Sequence, residues 1–178
     1  MQPGAGQTAA GRDANTSPAG AATTPGTGQE VTPTAAGPSQ QEINDARRKF
    51  LANYRYKGMM DWLTEKGLKD SELYKRYQKF QMLPLYLRRH LEVTESKAVS
   101  VAVPSAQGPG KCDLWTSSDG TLKIRRPGGT VEDATLEGID HPLMAEVIRS
   151  ALKEQPGLDK SVHSMFVEEC QAAGLIPK

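Results

Sequence analysis

Residues 98–131 read AVSVAVPSAQGPGKCDLWTSSDGTLKIRRPGGTV, and their character differs from that of the chain on either side. The opening AVSVAV is rich in β-branched valine and predicts a strand that ends at Pro104, followed by a loop over residues 105–110. Asp119-Gly120, between two more runs of strand character, is a strong signal for a hairpin turn. We therefore expect a small antiparallel meander. Its strands are expected within about residues 97–133, at 98–103, 111–115 and 121–125 and near 130–131.

The region before the meander, residues 39–93, has the apolar spacing of helices. Ser39 begins a capping-box pattern with the glutamate that follows it, and apolar residues then recur at steps of three and four. Gly58 is expected to interrupt this first helix, and Gly67 to cap its end. Two short helices are expected to follow, with Pro84 at the break between them.

The region after the meander predicts a helical hairpin packed on the sheet. Asp140 is expected to cap a helix over residues 141–154. A last helix is expected over residues 160–173, ended by Gly174 with Leu175 packing back on the final turn. The expected fold class is therefore α+β, with a basic helical segment at 39–93 and a small α+β domain at 94–178.

Residues 1–38 differ from the rest in composition. Ala, Gly, Thr, Pro, Gln and Ser make up 34 of residues 1–40, Val31 is the only branched aliphatic residue among them, and no aromatic residue occurs there. Such a segment cannot bury enough apolar surface to offset the entropy lost on ordering. We expect residues 1–38 to be a disordered tail that acts as a passive linker, with a tether to a partner as the alternative.

The sequence also bears on cellular location. It has no run of about 18 apolar residues, and its N-terminus lacks the basic and apolar regions of a signal peptide. Cys112 and Cys170 are the only cysteines, and without a secretory signal they fit thiols in a reducing compartment. We expect an intracellular, soluble protein with no membrane partner.

No residue pattern indicates catalysis, a metal site or a cofactor. The nearest match is Gly108-Pro109-Gly110-Lys111, but a phosphate-binding loop would need glycine at Ser105, a hydroxyl residue at Cys112 and a helix after it, so a turn is expected instead. The cysteines and histidines lack the paired spacing of a zinc site. We expect no catalytic residue, no cofactor and no small-molecule substrate.

Charge is unevenly distributed, although the net charge of the chain is +1. Residues 41–93 carry 12 basic and 7 acidic side chains, whereas residues 94–178 carry 9 basic and 12 acidic ones. All five tyrosines lie in the basic part. Basic side chains interleaved with tyrosines suit phosphate contacts and base stacking, and they equally suit a protein interface. The candidate binding residues are Arg47, Arg48, Lys49, Arg55, Lys57, Lys75, Arg76, Lys79, Arg88, Arg89, Tyr54, Tyr56 and Tyr74.

These observations favour a non-enzymatic protein-interaction or assembly component, for example an accessory part of a larger particle such as a virion. Its partner would be another protein or a second copy of the chain. The alternative is a nucleic-acid-binding protein that acts through residues 47–89. The plainer interpretation is that Tyr54 and Tyr77 belong to the core and that the basic side chains form ordinary solvated faces. The opposite charges of the two regions predict either packing within one chain or head-to-tail pairing of copies.

Overall fold

A computed structural model describes residues 37–105 and 108–178 of the chain. The expected disordered tail, residues 1–38, lies almost entirely outside the described residues. Within them the α+β class is confirmed. The first four helices are α1 (Gln40–Leu51), α2 (Tyr56–Glu65), α3 (Glu72–Phe80) and α4 (Leu83–Leu91). The strands β1 (Val99–Ser105), β2 (Gly108–Thr116), β3 (Leu122–Arg125) and β4 (Val131–Ala134) follow, and α5 (His141–Glu154) and α6 (Val162–Ala172) complete the chain.

Helix ends follow the local signals of the sequence. Ser39 caps α1, since its hydroxyl accepts from the N–H of Glu42 while its own N–H donates to the Glu42 carboxylate. Asp140 caps α5 by accepting from the N–H of Leu143 at 2.9 Å. Gly174, at φ +72°, ends α6, and the next N–H returns to the carbonyl of Cys170 at 2.8 Å. The expected caps at these three ends are confirmed.

Gly58 does not interrupt a helix, which corrects the sequence expectation. It lies inside α2, where a Cβ atom would come within 2.8 Å of the Phe50 ring. The break lies earlier, where Tyr54 takes the left-handed conformation at φ +52° and the N–H of Arg55 donates to the carbonyl of Phe50 at 2.8 Å. Gly58 is therefore a site of close packing between α1 and α2.

The strands form one antiparallel sheet in the order β1-β2-β3-β4, so the expected meander is confirmed. The loop expected at residues 105–110 is wrong in extent, because β1 continues past Pro104 to Ser105 and β2 begins at Gly108. Pro104 and Pro109 are opposite each other in the ladder. Every second pair of an antiparallel ladder needs no N–H from either residue, and such a pair accommodates two prolines.

The core is shared by the helices and one face of the sheet. Its fully buried side chains include Leu51, Tyr77, Phe80, Leu114 and Phe166. α5 packs against β1, whereas α6 packs against α1 and α3. The two C-terminal helices therefore join the sheet to the N-terminal helices. None of the helices in the described ranges is long and apolar enough to cross a bilayer.

Candidate protein-interaction surface

Two of the candidate cations lie in ion pairs inside the fold. Glu169 of α6 is only 2% exposed, and its carboxylate accepts from Arg47 Nε at 2.6 Å, from Arg47 Nη2 at 3.2 Å and from Arg76 Nη1 at 3.2 Å. Arg76 also contacts Glu168 at 2.7 Å, and the Tyr77 hydroxyl lies 3.4 Å from Glu169 Oε2. Arg47 and Arg76 thus hold α1 and α3 against α6.

Other candidate cations also have partners within the chain. Lys79 pairs with Asp159 at 2.8 Å, and this lysine together with Ser161 lowers the pKa of Asp159. Arg48 donates to the carbonyl of Ala173 at 3.3 Å, at the end of α6. Lys57 and Lys75 form exposed pairs with acidic residues of their own helices. The charge difference between the two regions is therefore used, in part, for packing within one chain.

The candidate tyrosines lie in or against the core. Tyr56 is buried, and Tyr54 and Tyr74 are half-buried and pack against core residues. The Tyr54 ring stacks on His141 at 4.8 Å between centroids, and its hydroxyl donates to the carbonyl of Ile139. Burial raises the pKa of Tyr54 and of Tyr56. Tyr56 cannot serve as an exposed stacking platform, which corrects its assignment as a binding residue.

The remaining cations are exposed but dispersed. Lys49, Arg55, Arg88 and Arg89 have no carboxylate within salt-bridge distance among the described residues. Lys49 lines a depression with Phe50 and Trp62, Arg55 lines a second one beside Tyr54, and Arg88 lines a third. These cations do not line one common depression.

One helix combines exposed arginines with exposed apolar side chains. Met82, which precedes α4, and Leu85 are 48% and 46% exposed, and Arg88 and Arg89 follow one turn later. We call these four residues the α4 surface. Beside Arg88 lies a groove of about 560 Å³. It is lined by Arg88, Leu91 and Glu92, by Thr116, Gly120, Thr121 and Leu122 of the β2–β3 hairpin, and by Ala134, Thr135, Leu136 and Glu137.

Sequence reasoning found Arg88 and Arg89 but missed Met82 and Leu85. The signal was present in the spacing, because Leu83, Leu87 and Leu91 recur every four residues and are buried. Leu85 lies two positions from both Leu83 and Leu87, so it falls on the opposite face of the helix.

The two cysteines and His141 lie in surroundings that indicate a packing role rather than a chemical one. Cys112 and Cys170 are buried, and burial raises the pKa of Cys170 to about 12 and also raises that of Cys112. Neither thiol therefore has the lowered pKa of an activated nucleophile. The His141 Nε2 atom lies 2.9 Å from the carbonyl oxygen of Leu51. Across the described ranges, no group of three His, Cys, Asp or Glu side chains is arranged to hold a metal ion.

Comparison with known proteins found no relative of the chain. No protein-family model, no curated protein and no solved structure matches the chain.

Proposed function

We propose that the chain is a non-enzymatic protein-interaction component of a larger assembly, and that the α4 surface binds an acidic and apolar segment of a protein partner. The observation that supports this is the exposure of Met82 and Leu85 beside Arg88 and Arg89. Methionine and arginine are enriched at protein interfaces, where apolar anchors give affinity and charges give orientation.

The chemistry of the partner follows from charge. Arg88 and Arg89 have no salt-bridge partner in the part of the chain that the structure describes. An arginine fork binds a carboxylate through two parallel hydrogen bonds, so a partner segment with Asp or Glu next to a large apolar residue complements this surface. The groove beside Arg88 offers the partly exposed Leu122 and Leu136 to such an apolar residue.

The test is peptide display against the folded full chain. Selected peptides are expected to combine acidic and large apolar residues, and Leu85→Asp or the double variant R88E/R89E is expected to weaken their binding about tenfold or more, since both act at a hot spot. Val131→Asp is the matched apolar control, because Val131 is also 46% exposed but lies on β4. The double variant K69E/K97E is the matched charge control, because both lysines are exposed and lie outside the α4 surface.

Two results would refute the α4 surface. One is a selection that enriches no peptide above background. The other is a set of peptides whose affinity for Leu85→Asp equals that for the unmodified chain.

A second candidate is nucleic-acid binding, favoured by the exposed cations Lys49, Arg55, Arg88 and Arg89. Fluorescence anisotropy with labelled single-stranded RNA and DNA separates it from the first. Nucleic-acid binding predicts an affinity that falls steeply as salt rises and that weakens in R88E/R89E. Absence of binding at low salt would exclude this candidate.

A further inference from the structure

β1 is an edge strand whose outward main-chain groups follow from its register. In the order β1-β2-β3-β4, and within the described residues, only β2 pairs with β1. Pro104 and Pro109 are opposite each other in the ladder, and neither has an N–H, so they form a non-hydrogen-bonded pair. Hydrogen-bonded and non-hydrogen-bonded pairs alternate along the ladder, so Ala102 and Ser100 are also in non-hydrogen-bonded pairs with β2. Their N–H and C=O groups are therefore directed away from β2. Their side chains are exposed.

Over residues 99–103 this edge lacks the usual protection against pairing. Natural edge strands carry charges, prolines or bulges that block the approach of another strand. The other edge, β4, has the sequence VEDA, with two acidic residues in four positions. Residues 99–103 of β1 read VSVAV, without a charge. Val99 and Val101 are buried on the core side, and the outer side carries only small side chains.

We infer that two copies of this chain pair through their β1 edges, antiparallel, about a two-fold axis at Val101. The inference uses a different element from the α4 surface and does not depend on it. VSVAV is nearly symmetric about Val101, so the pairing aligns Val99 with Val103 of the second copy and Ser100 with Ala102 of the second copy. The outward N–H and C=O groups of Ser100 and Ala102 then bond to those of the other chain, and the sheets join into one.

The register has defined ends. Pro104 offers no N–H beyond Ala102, and at the other end the N–H of Ala98 already donates to the carbonyl of Glu95 at 3.1 Å. The pairing is thereby limited to the five residues of VSVAV. An antiparallel pair shifted along the strand would place an outward carbonyl opposite Pro104 or Ala98, and the ladder would lose hydrogen bonds.

Charges on β2 agree with this register. Lys111 lies opposite Ala102 in its own chain, and Asp113 lies opposite Ser100. When Ala102 pairs with Ser100 of the second copy, the row across the joined sheet runs from Lys111, over two small residues, to Asp113 of the second copy. These backbone positions are about 14 Å apart, three strand spacings, so the opposite charges at the two ends of each row agree in sign with this register but are largely screened by salt.

The test is sedimentation velocity of the full chain over a range of concentrations, combined with hydrogen exchange. The mass is expected to rise to that of a dimer as the concentration rises. The amide hydrogens of Ser100 and Ala102 are expected to exchange slowly in the dimer and fast after dilution. Ala102→Pro removes an outward N–H and is expected to raise the dissociation constant about tenfold or more. Val131→Pro makes the same change on β4 and is expected to leave it unaltered.

Ala102→Glu gives a second variant in case the proline perturbs β1. Its carboxylate lies opposite Lys111 in its own chain, so the melting temperature of the monomer is expected to stay unchanged. In the dimer it places a charge at the paired edge, in the same row as Asp113 of the second copy, so it is expected to weaken the dimer strongly. A monomeric mass at every concentration would overturn the inference. A dimer that survives both Ala102 variants would overturn it too, as would slow exchange of Ser100 and Ala102 in the monomer, because another part of the chain would then cover the edge.

Discussion

Glu169 shows how one buried carboxylate connects three helices. It accepts from Arg47 of α1 and Arg76 of α3 while itself lying on α6. Glu169→Ala leaves Arg47, whose side chain is 14% exposed, without its carboxylate. Breaking a buried ion pair from one side typically costs about 3 kcal/mol or more, so we expect a loss of that size in the free energy of unfolding. Urea denaturation followed by circular dichroism measures it.

The neighbouring Glu168 is the matched control for this prediction. It contacts Arg76 at 2.7 Å, but its side chain is 56% exposed. Exposed pairs contribute about 1 kcal/mol or less, so Glu168→Ala is expected to change the free energy of unfolding by no more than that. Equal losses for the two variants would mean that burial of the Glu169 carboxylate does not set its contribution.

His90 predicts how stability depends on pH. Its ring is fully buried, with Nδ1 3.1 Å from Glu154 Oε2. Burial lowers the pKa of His90 below its ordinary value of 6.5, although Glu154 opposes the shift, and burial with Arg149 also lowers that of His163. The unfolded chain then binds protons that the folded chain does not. The free energy of unfolding is therefore expected to fall as the pH drops below about 6.5.

Urea midpoints measured from about pH 7.5 down to pH 5 check this prediction, and the double variant H90Q/H163Q is expected to flatten the curve. Carboxylates affect the stability of the fold in a lower pH range than the histidines do. The Ser117 hydroxyl and the Thr121 amide lower the pKa of Asp119 from 3.8 to about 2, so the stabilisation linked to this group is lost only between those values. A midpoint that stays constant down to pH 5 would contradict the role given to the histidines.

At the scale of elements, the contact between α1 and α2 gives a prediction that opposes helix propensity. Alanine is favoured over glycine inside a helix by about 1 kcal/mol. At Gly58, however, a Cβ atom would lie 2.8 Å from the Phe50 ring. Overpacking of this kind costs about 1–3 kcal/mol, so Gly58→Ala is expected to destabilise the fold by about 1 kcal/mol overall.

A double-mutant cycle with Phe50 isolates the packing effect. In a Phe50→Ala background the ring is absent, and Gly58→Ala is expected to stabilise the protein by about 1 kcal/mol through helix propensity alone. The free energies of unfolding of the four proteins give the coupling directly. Destabilisation by Gly58→Ala in both backgrounds would contradict the packing explanation.

Local signals in the sequence predict many elements but not every break. Ser39, Asp140 and Gly174 cap helices through their own side chain or backbone. The sequence therefore predicts the start of α1, the start of α5 and the end of α6. The sequence does not predict the turn at Tyr54, because tyrosine occupies a left-handed position there that glycine usually takes. Its hydroxyl bond to Ile139 and its stacking on His141 hold it there, and both partners are distant in sequence.

The candidate site shows the same limit at the scale of the whole molecule. Charge counting identified Arg47, Arg76, Arg88 and Arg89 alike. The contact that separates them is Glu169, which is 122 residues from Arg47 in sequence and is invisible to local patterns. Packing of α6 against α1 and α3 uses Arg47 and Arg76 and leaves Arg88 and Arg89 exposed. Of the two arrangements expected from the charge difference, packing within one chain is observed, and head-to-tail pairing of copies stays a prediction.

The last prediction concerns residues 1–38, outside the described range except for the final two. Val31 is the only branched aliphatic residue among them and they contain no aromatic residue, and Ser39 with Glu42 caps the start of α1 without them. Deletion of residues 1–38 is therefore expected to change the melting temperature by less than about 2 °C. Adding Ser39→Ala to the deletion removes the cap, which is worth about 1 kcal/mol or about 3–5 °C for a domain of this size. Differential scanning calorimetry of both proteins checks this. If the deletion alone lowers the melting temperature as much as loss of the cap does, residues 1–38 contribute to the folded state and are not a disordered tail.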